Sequence, residues 1–122
     1  MILYSDFEKW LDSIFTSKLD PTVIALNFNI YETTNSYDIE LIGSDEFDEE
    51  DEDWACNTVF SSNTMFEIEN NTFSNWEFAL EFMSRLIKEY LNKGNNSNYI
   101  KSFNGIGVGF IDGDIDILYT HP

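Results

Sequence analysis

An apolar stripe with helical spacing opens the chain. Its members recur at steps of three and one residues, which places them on one side of a 3.6-residue helix: Phe7, Trp10, Leu11, Ile14 and Phe15. Ser5 and Glu8 fit the S-x-x-E capping box, in which each side chain satisfies a free backbone N–H at a helix start. Asp20-Pro21 follows, and proline disfavours a helical residue before it. The pattern predicts a helix that begins near Ser5 and ends before Pro21.

The pattern changes to period two over residues 22–32. This alternation predicts a half-buried strand, with one face formed by Ile24, Leu26, Phe28 and Ile30. The same alternation resumes after a polar turn at 33–36, at Tyr37, Ile39 and Leu41. We expect the two strands to pair as a hairpin that Gly43 closes.

A second helix is indicated by a second capping box, formed by Ser74 and Glu77. Phe73 precedes this cap and Phe78 takes the fourth helical position, as a hydrophobic staple requires. An inward stripe follows: Ala79, Leu80, Met83, Leu86, Ile87, Tyr90 and Leu91. Lys93-Gly94 predicts the helix end, a last-turn cation followed by a glycine just beyond the helix.

The remaining strands are predicted at 54–60, at 65–69 and in a C-terminal hairpin. In that hairpin three glycines, Gly105, Gly107 and Gly109, alternate with apolar residues. Asp112-Gly113 is placed where a type I′ turn needs positive φ. The return strand carries Ile115, Ile117 and Tyr119.

Together these elements predict one α+β domain over residues 1–122. An antiparallel sheet of about five strands with two helices packed on one face satisfies the order, since alternating strands need only one covered side. The chain has a formal net charge of −17, yet its 43% hydrophobic content is too high for a disordered acidic tail. We therefore expect it to fold.

The lone cysteine, Cys56, allows no internal disulfide and fits a reducing compartment, so the cytoplasm is expected. The first ten residues lack a basic region followed by an apolar run, and no segment approaches about 18 uncharged apolar residues. Neither export nor membrane insertion is expected.

The charge is concentrated in residues 44–54, SDEFDEEDEDW, which we call the acidic segment. No Lys or Arg occurs between Lys18 and Arg85. Such a field repels phosphate backbones and anionic membranes and speeds encounter with a basic partner. Direct nucleic-acid binding is therefore not expected.

Three interpretations of the acidic segment stay open. The first is a solvated, flexible insertion, as charge runs usually are. The second is a calcium site, although an EF-hand loop needs a glycine at its sixth position, which is missing after Asp48. The third is a docking surface for cations. On the third interpretation Phe47 and Trp54 are apolar anchors beside the charges. The candidate partner-binding residues are Asp45, Glu46, Phe47, Asp48, Glu49, Glu50, Asp51, Glu52, Asp53 and Trp54.

Other chemistry receives little support from the sequence. The D-x-D-x-D pattern of IDGDID straddles a predicted turn, so turn chemistry explains it more simply than a metal does. The glycines at 105, 107 and 109 leave one strand face bare, either for a helix of the same chain or for a partner. His121 lies next to the chain end and Cys56 has no nearby basic residue. We expect no catalytic residue, metal or cofactor.

Three stretches, DEDWACNTVF, NWEFALEFMSRLIKEYL and GIGVGFIDGDIDILY, resemble the layout of small bacterial immunity proteins that accompany polymorphic toxins, including those of contact-dependent growth inhibition systems. The resemblance spans the chain from about Asp51 onward. It implies a cytoplasmic protein without enzymatic activity that binds one cognate toxin domain. Because toxin-binding surfaces vary in such families, the resemblance places no site.

The charge leads to the same hypothesis. Many toxin domains are nucleases with basic substrate grooves, and an anionic surface can take the place of the phosphates there. Two alternatives remain: an acidic accessory or nucleic-acid-mimic module for another basic protein, and a metal-dependent enzyme that uses its carboxylates.

Overall fold

The computed structural model describes residues 4–122. Three helices are present in this range: α1 (Tyr4–Ile14), α2 (Trp76–Lys93) and the short α3 (Ser97–Ile100). Five strands form one sheet: β1 (Ala25–Glu32), β2 (Ser36–Ser44), β3 (Thr58–Glu69), β4 (Gly105–Phe110) and β5 (Asp116–Thr120). Two 3₁₀ helices, Glu52–Cys56 and Asn70–Thr72, flank β3. No helix in residues 4–122 is long and apolar enough to cross a membrane.

The sheet order is β3-β2-β1-β4-β5, and the sheet is mixed. The α+β class and the five strands are confirmed, but the expectation of an antiparallel sheet is wrong at one position. There β1 and β4 pair in parallel, with Ala25 opposite Gly105 and Ile30 opposite Phe110. Between β3 and β4 the chain passes through α2 and α3, and a long helical crossover of this kind is what a parallel neighbour requires.

The core lies between the sheet and the two longer helices. Phe7 and Leu11 of α1 and Met83, Ile87 and Tyr90 of α2 are buried in one cluster with strand residues. On β1 the alternation holds as predicted, since Leu26, Phe28 and Ile30 are in this core. The opposite side of the sheet, which we call the second face, carries the alternate residues of each strand.

The helix starts differ from the predicted caps. Ser5 lies inside α1 and not at its cap, so the predicted capping box is wrong; residues 1–3 lie outside the described residues. The N-cap of α2 is Asn75, whose Oδ1 accepts a hydrogen bond from the Phe78 N–H at 3.1 Å. This one-residue shift from Ser74 moves Phe78 to the third helical position and leaves it 55% exposed, so the predicted staple is also wrong.

Helix ends also differ from the sequence prediction. α1 ends at Ile14, well before Pro21. Just after Ile14, the Phe15 N–H donates a hydrogen bond to the Asp12 carbonyl in a tighter turn. Gly94 follows α2 as predicted, but its φ of −71° is not left-handed. Glycine is needed there because a side chain would overlap the Tyr90 ring.

One long strand replaces the two short strands predicted between residues 54 and 69. Trp54 belongs to the 3₁₀ helix Glu52–Cys56, and β3 then runs from Thr58 to Glu69. The polar break at 62–64 stays in the strand as a bulge, with Asn63 at a φ of +60°. Ser62 Oγ accepts a hydrogen bond from the Leu41 N–H of β2 at 3.2 Å, which replaces part of the interrupted ladder.

The C-terminal hairpin is confirmed, but its predicted type I′ turn is wrong. Residues 111–115 connect β4 to β5, and the Gly113 N–H bonds the Phe110 carbonyl at 2.9 Å. Among residues 4–122 no glycine has a positive φ. The connection is longer than the two residues that a type I′ hairpin uses, so the chain turns there without the left-handed region.

Candidate functional site

The acidic segment folds back on the second face of the sheet. Trp54 is only 3% exposed, and the buried Ser44 donates its hydroxyl to the Trp54 carbonyl at 2.7 Å. The Phe47 ring meets the Trp54 ring edge-on, with centroids 5.1 Å apart. Two aromatic side chains thus attach the charged segment to its own domain.

The glycines of β4 make room for this attachment. A side chain at Gly105 would overlap the Phe47 ring, and one at Gly107 would meet Asn27 Oδ1 at 2.6 Å and Ile115 Cγ2 at 2.7 Å. The sequence left two occupants open for this bare face, a helix of the same chain and a partner. Both expectations are wrong, because the acidic segment and the β4–β5 connection occupy this strand face.

Several aspartates of the acidic segment serve its own local structure. Asp48 Oδ1 accepts from the Glu50 N–H at 2.9 Å, and Asp51 Oδ1 accepts from the Asp53 N–H at 3.1 Å as the cap of the 3₁₀ helix. Asp45 accepts from the side-chain amide of Asn57. Short polar side chains commonly stabilise turns in this way. The segment therefore follows a defined path with its carboxylates outward.

Glu52 joins the acidic segment to the β4–β5 connection. Its Oε1 accepts a hydrogen bond from the Ile115 N–H at 2.8 Å, across 63 residues of sequence. The sequence offered no sign of this contact. This hydrogen bond places the charges of the acidic segment beside those of Asp112, Asp114 and Asp116, which are all exposed.

Two grooves lie on either side of the β4–β5 connection. The first, which we call the aromatic groove, has a volume of about 1080 Å³ and runs between the start of α2 and the end of the sheet. Trp76, Leu80, Phe110 and Ile111 give it apolar walls. Trp76 stands at 90° to the Phe110 ring with centroids 5.8 Å apart, yet it remains 51% exposed.

The second, which we call the polar groove, has a volume of about 590 Å³ and lies on the second face. Glu40 forms part of its floor and accepts two hydrogen bonds, from the Tyr31 hydroxyl at 2.9 Å and from Ser61 Oγ at 2.8 Å. Burial first, and then the hydrogen bond to Glu40, raise the pKa of Tyr31. Tyr31 therefore stays a neutral donor to the carboxylate.

Neither groove is lined by a basic residue within the described part of the chain. Carboxylates line both: Glu32, Asp112, Asp114 and Asp116 the aromatic groove, and Glu40, Glu52, Asp53 and Asp112 the polar groove. Ion pairs form instead along α2, between Arg85 and Glu81 and between Lys93 and Glu89. The surface around the connection is thus anionic on both sides.

The structure places the candidate residues of the acidic segment in two different environments, one exposed and one packed against the sheet. Eight carboxylates, from Asp45 to Asp53, lie at the exposed surface. Trp54 is buried and Phe47 is half-buried on the second face, so both contact their own chain. Sequence reasoning missed Trp76 and Ile111. Ile111 follows Phe110 directly, and two consecutive apolar residues at a strand end could have indicated that one of them faces outward.

Metal and thiol chemistry gain no geometric support. Across residues 4–122 no group of three or more His, Cys, Asp or Glu side chains is arranged to hold a metal ion. Cys56 is exposed beside the polar groove.

Comparison of the chain with family models, curated proteins and solved structures gave no match.

Proposed function

We propose that this protein is an immunity protein that binds and neutralises a cognate toxin domain. The toxin is a cationic nuclease, and the acidic surface docks over its substrate site. The protein acts in the cytoplasm and has no catalytic activity of its own. This role needs a rigid anionic surface and a means of selecting one partner.

The charge supports the first requirement. With a net charge of −17 and no basic residue between Lys18 and Arg85, the surface can occupy a groove that binds phosphates. Electrostatic steering of this kind raises association rates most at low ionic strength. Binding should therefore be fast and sensitive to salt.

The attachment of the acidic segment is the observation that carries the proposal. Trp54, Phe47 and the hydrogen bond from Ile115 to Glu52 hold the segment on the sheet before any partner arrives. A segment that is already ordered loses less conformational entropy on binding than a flexible loop. In this proposal Trp54 and Phe47 position the charges, and the partner meets the carboxylates.

The test is to express the product of the gene next to this protein's gene, as the candidate toxin, with and without the protein. We expect cell survival and co-purification of a stable complex, and loss of nuclease activity at one equivalent. Lack of protection with no complex would overturn the proposal.

Selectivity separates this function from that of a general acidic accessory module. Binding to unrelated basic proteins, such as egg-white lysozyme, should be weaker than binding to the toxin by orders of magnitude at physiological salt. Equal binding to both would favour the accessory module.

A further inference from the structure

We infer that the partner docks on the β4–β5 connection, with an apolar side chain inserted in the aromatic groove between Trp76 and Ile111. Lys or Arg residues that flank this side chain in the partner pair with Asp112 and Asp114. The inference rests on the proposed function and deepens it. It assigns the desolvated contacts of the interface to residues outside the acidic segment.

The aromatic groove contains exposed apolar side chains. In the described part of the chain five large hydrophobic residues are exposed: Val59, Met65, Trp76, Phe78 and Ile111. Two of them, Trp76 and Ile111, line one groove, where Ile111 is 56% exposed. Since the edge-on contact with Phe110 fixes Trp76, little side-chain entropy is lost when a partner covers it.

The aromatic groove also carries negative charge. Four carboxylates line the same groove as the two apolar residues, and no basic residue does so in residues 4–122. Large aromatic contacts beside charges are typical of interface hot spots. A second copy of this chain is a poor occupant, because each copy carries a net charge of −17. The groove instead fits a cationic segment with one apolar side chain.

The acidic segment lies next to the β4–β5 connection, which borders the aromatic groove. The hydrogen bond between Glu52 and Ile115 keeps the segment against the connection, so its carboxylates extend the anionic surface past the polar groove. A partner that seats an apolar side chain near Ile111 thus meets further carboxylates across the connection. Steering and anchoring are assigned to neighbouring parts of one surface.

The experiment compares matched exposed residues. Trp76→Ala is paired with Phe78→Ala, because both aromatic side chains lie in the first turn of α2 and are about half exposed, but Phe78 lines neither groove. Ile111→Ala is paired in the same way with Val59→Ala. Calorimetry against a catalytically inactive toxin domain gives the dissociation constants, and circular dichroism verifies folding.

We expect Trp76→Ala and Ile111→Ala each to weaken binding about tenfold or more, and the two controls to weaken it by less than about threefold. Asp112→Asn with Asp114→Asn should mainly speed dissociation, which surface plasmon resonance measures. Toxin binding that is equally affected by the groove variants and their controls would overturn the inference and leave the proposed function intact.

A second measurement does not need the toxin. Titration of the isotope-labelled protein with the peptide acetyl-Arg-Leu-Arg-amide should shift the Trp76 indole and Ile111 methyl resonances most. Shifts spread evenly over the exposed carboxylates would overturn the inference. If the wild-type protein fails to bind the toxin but the peptide selects the groove, the proposed function fails and the anionic docking site for a cationic segment stands.

Discussion

The Phe47 ring occupies the space above Gly105 that a side chain there would need. This contact connects a glycine of the C-terminal hairpin to the most acidic part of the sequence. It explains why a segment with so much charge lies on the sheet. The bare strand face accepts the apolar Phe47 ring, a position that none of the neighbouring carboxylates could fill.

Gly105→Ala should therefore loosen the acidic segment. The new methyl group overlaps Phe47, and we expect the free energy of unfolding to fall by about 1–3 kcal/mol, with faster amide exchange in residues 45–56. Urea unfolding and hydrogen exchange measure the two effects. Gly113→Ala is the control, because a side chain there meets only ordinary contacts at 3.6 Å or more. Equal losses in both variants would contradict this explanation.

Trp54→Ala should destabilise the protein strongly, because it empties a buried site. Replacing a buried tryptophan by alanine costs about 3–5 kcal/mol. Trp76→Ala, which removes the same side chain from an exposed site, should cost about 1 kcal/mol or less. Chemical denaturation of the two variants checks the difference, and similar losses would show that Trp54 does not anchor the segment.

Neutralising Glu49 and Glu50 to glutamine should slow association with the toxin domain and flatten the dependence of its rate on salt. Both residues are exposed, so they act by long-range attraction, and the dissociation rate should change little. Stopped-flow mixing over a range of salt concentrations measures this. Glu67→Gln with Glu69→Gln, at the end of strand β3 that is farther along the chain from the acidic segment, removes the same charge as a control. A slope that changes equally in both pairs would mean that net charge alone decides the rate.

Tyr90 makes the free energy of unfolding depend on pH in the alkaline range. Burial, and next its hydrogen bond to Asp12, raise the pKa of Tyr90 to about 12, above the ordinary value of 10.0. As the pH rises, Tyr90 therefore loses its proton in the unfolded chain before it does so in the folded protein. The contribution of Tyr90 to the free energy of unfolding is complete below pH 10 and is lost as the pH rises towards 12.

Tyr90→Phe should lower the free energy of unfolding at pH 7 by about 1 kcal/mol and reduce its decline between pH 10 and pH 12. Tyr4, Tyr31 and Tyr37, whose pKa values are also raised, remain in the variant, so some decline persists. Urea unfolding across this range gives the comparison. An unchanged slope would show that Tyr90 is not among the groups whose titration causes the decline.

The periodicities in the sequence predicted the main elements because burial on one side imposes them. Leu26 and Phe28 of β1 and Met83 and Ile87 of α2 are buried as their spacing required. The parallel pairing of β1 with β4 could not be predicted this way, since the side-chain alternation of a strand is the same whichever direction its neighbour runs.

The candidate site was only partly predictable. Charge alone located the acidic segment, but it gave no information on whether Phe47 and Trp54 face inward. The Phe47 ring, against which Trp54 packs, lies over a bare strand position much later in the sequence, at Gly105. Trp76 and Ile111 meet at one groove only after α2 and the β4–β5 connection have been placed by the fold.

The bulge at Asn63 has a consequence for how the molecule behaves alone. Strand β3 forms one border of the sheet, where unpaired backbone groups could recruit a second chain in cross-strand fashion. By twisting away at residues 62–64, the backbone offers no long straight ladder to a neighbour. The bulge thus makes pairing between copies along this border less favourable than a regular strand of the same length would allow.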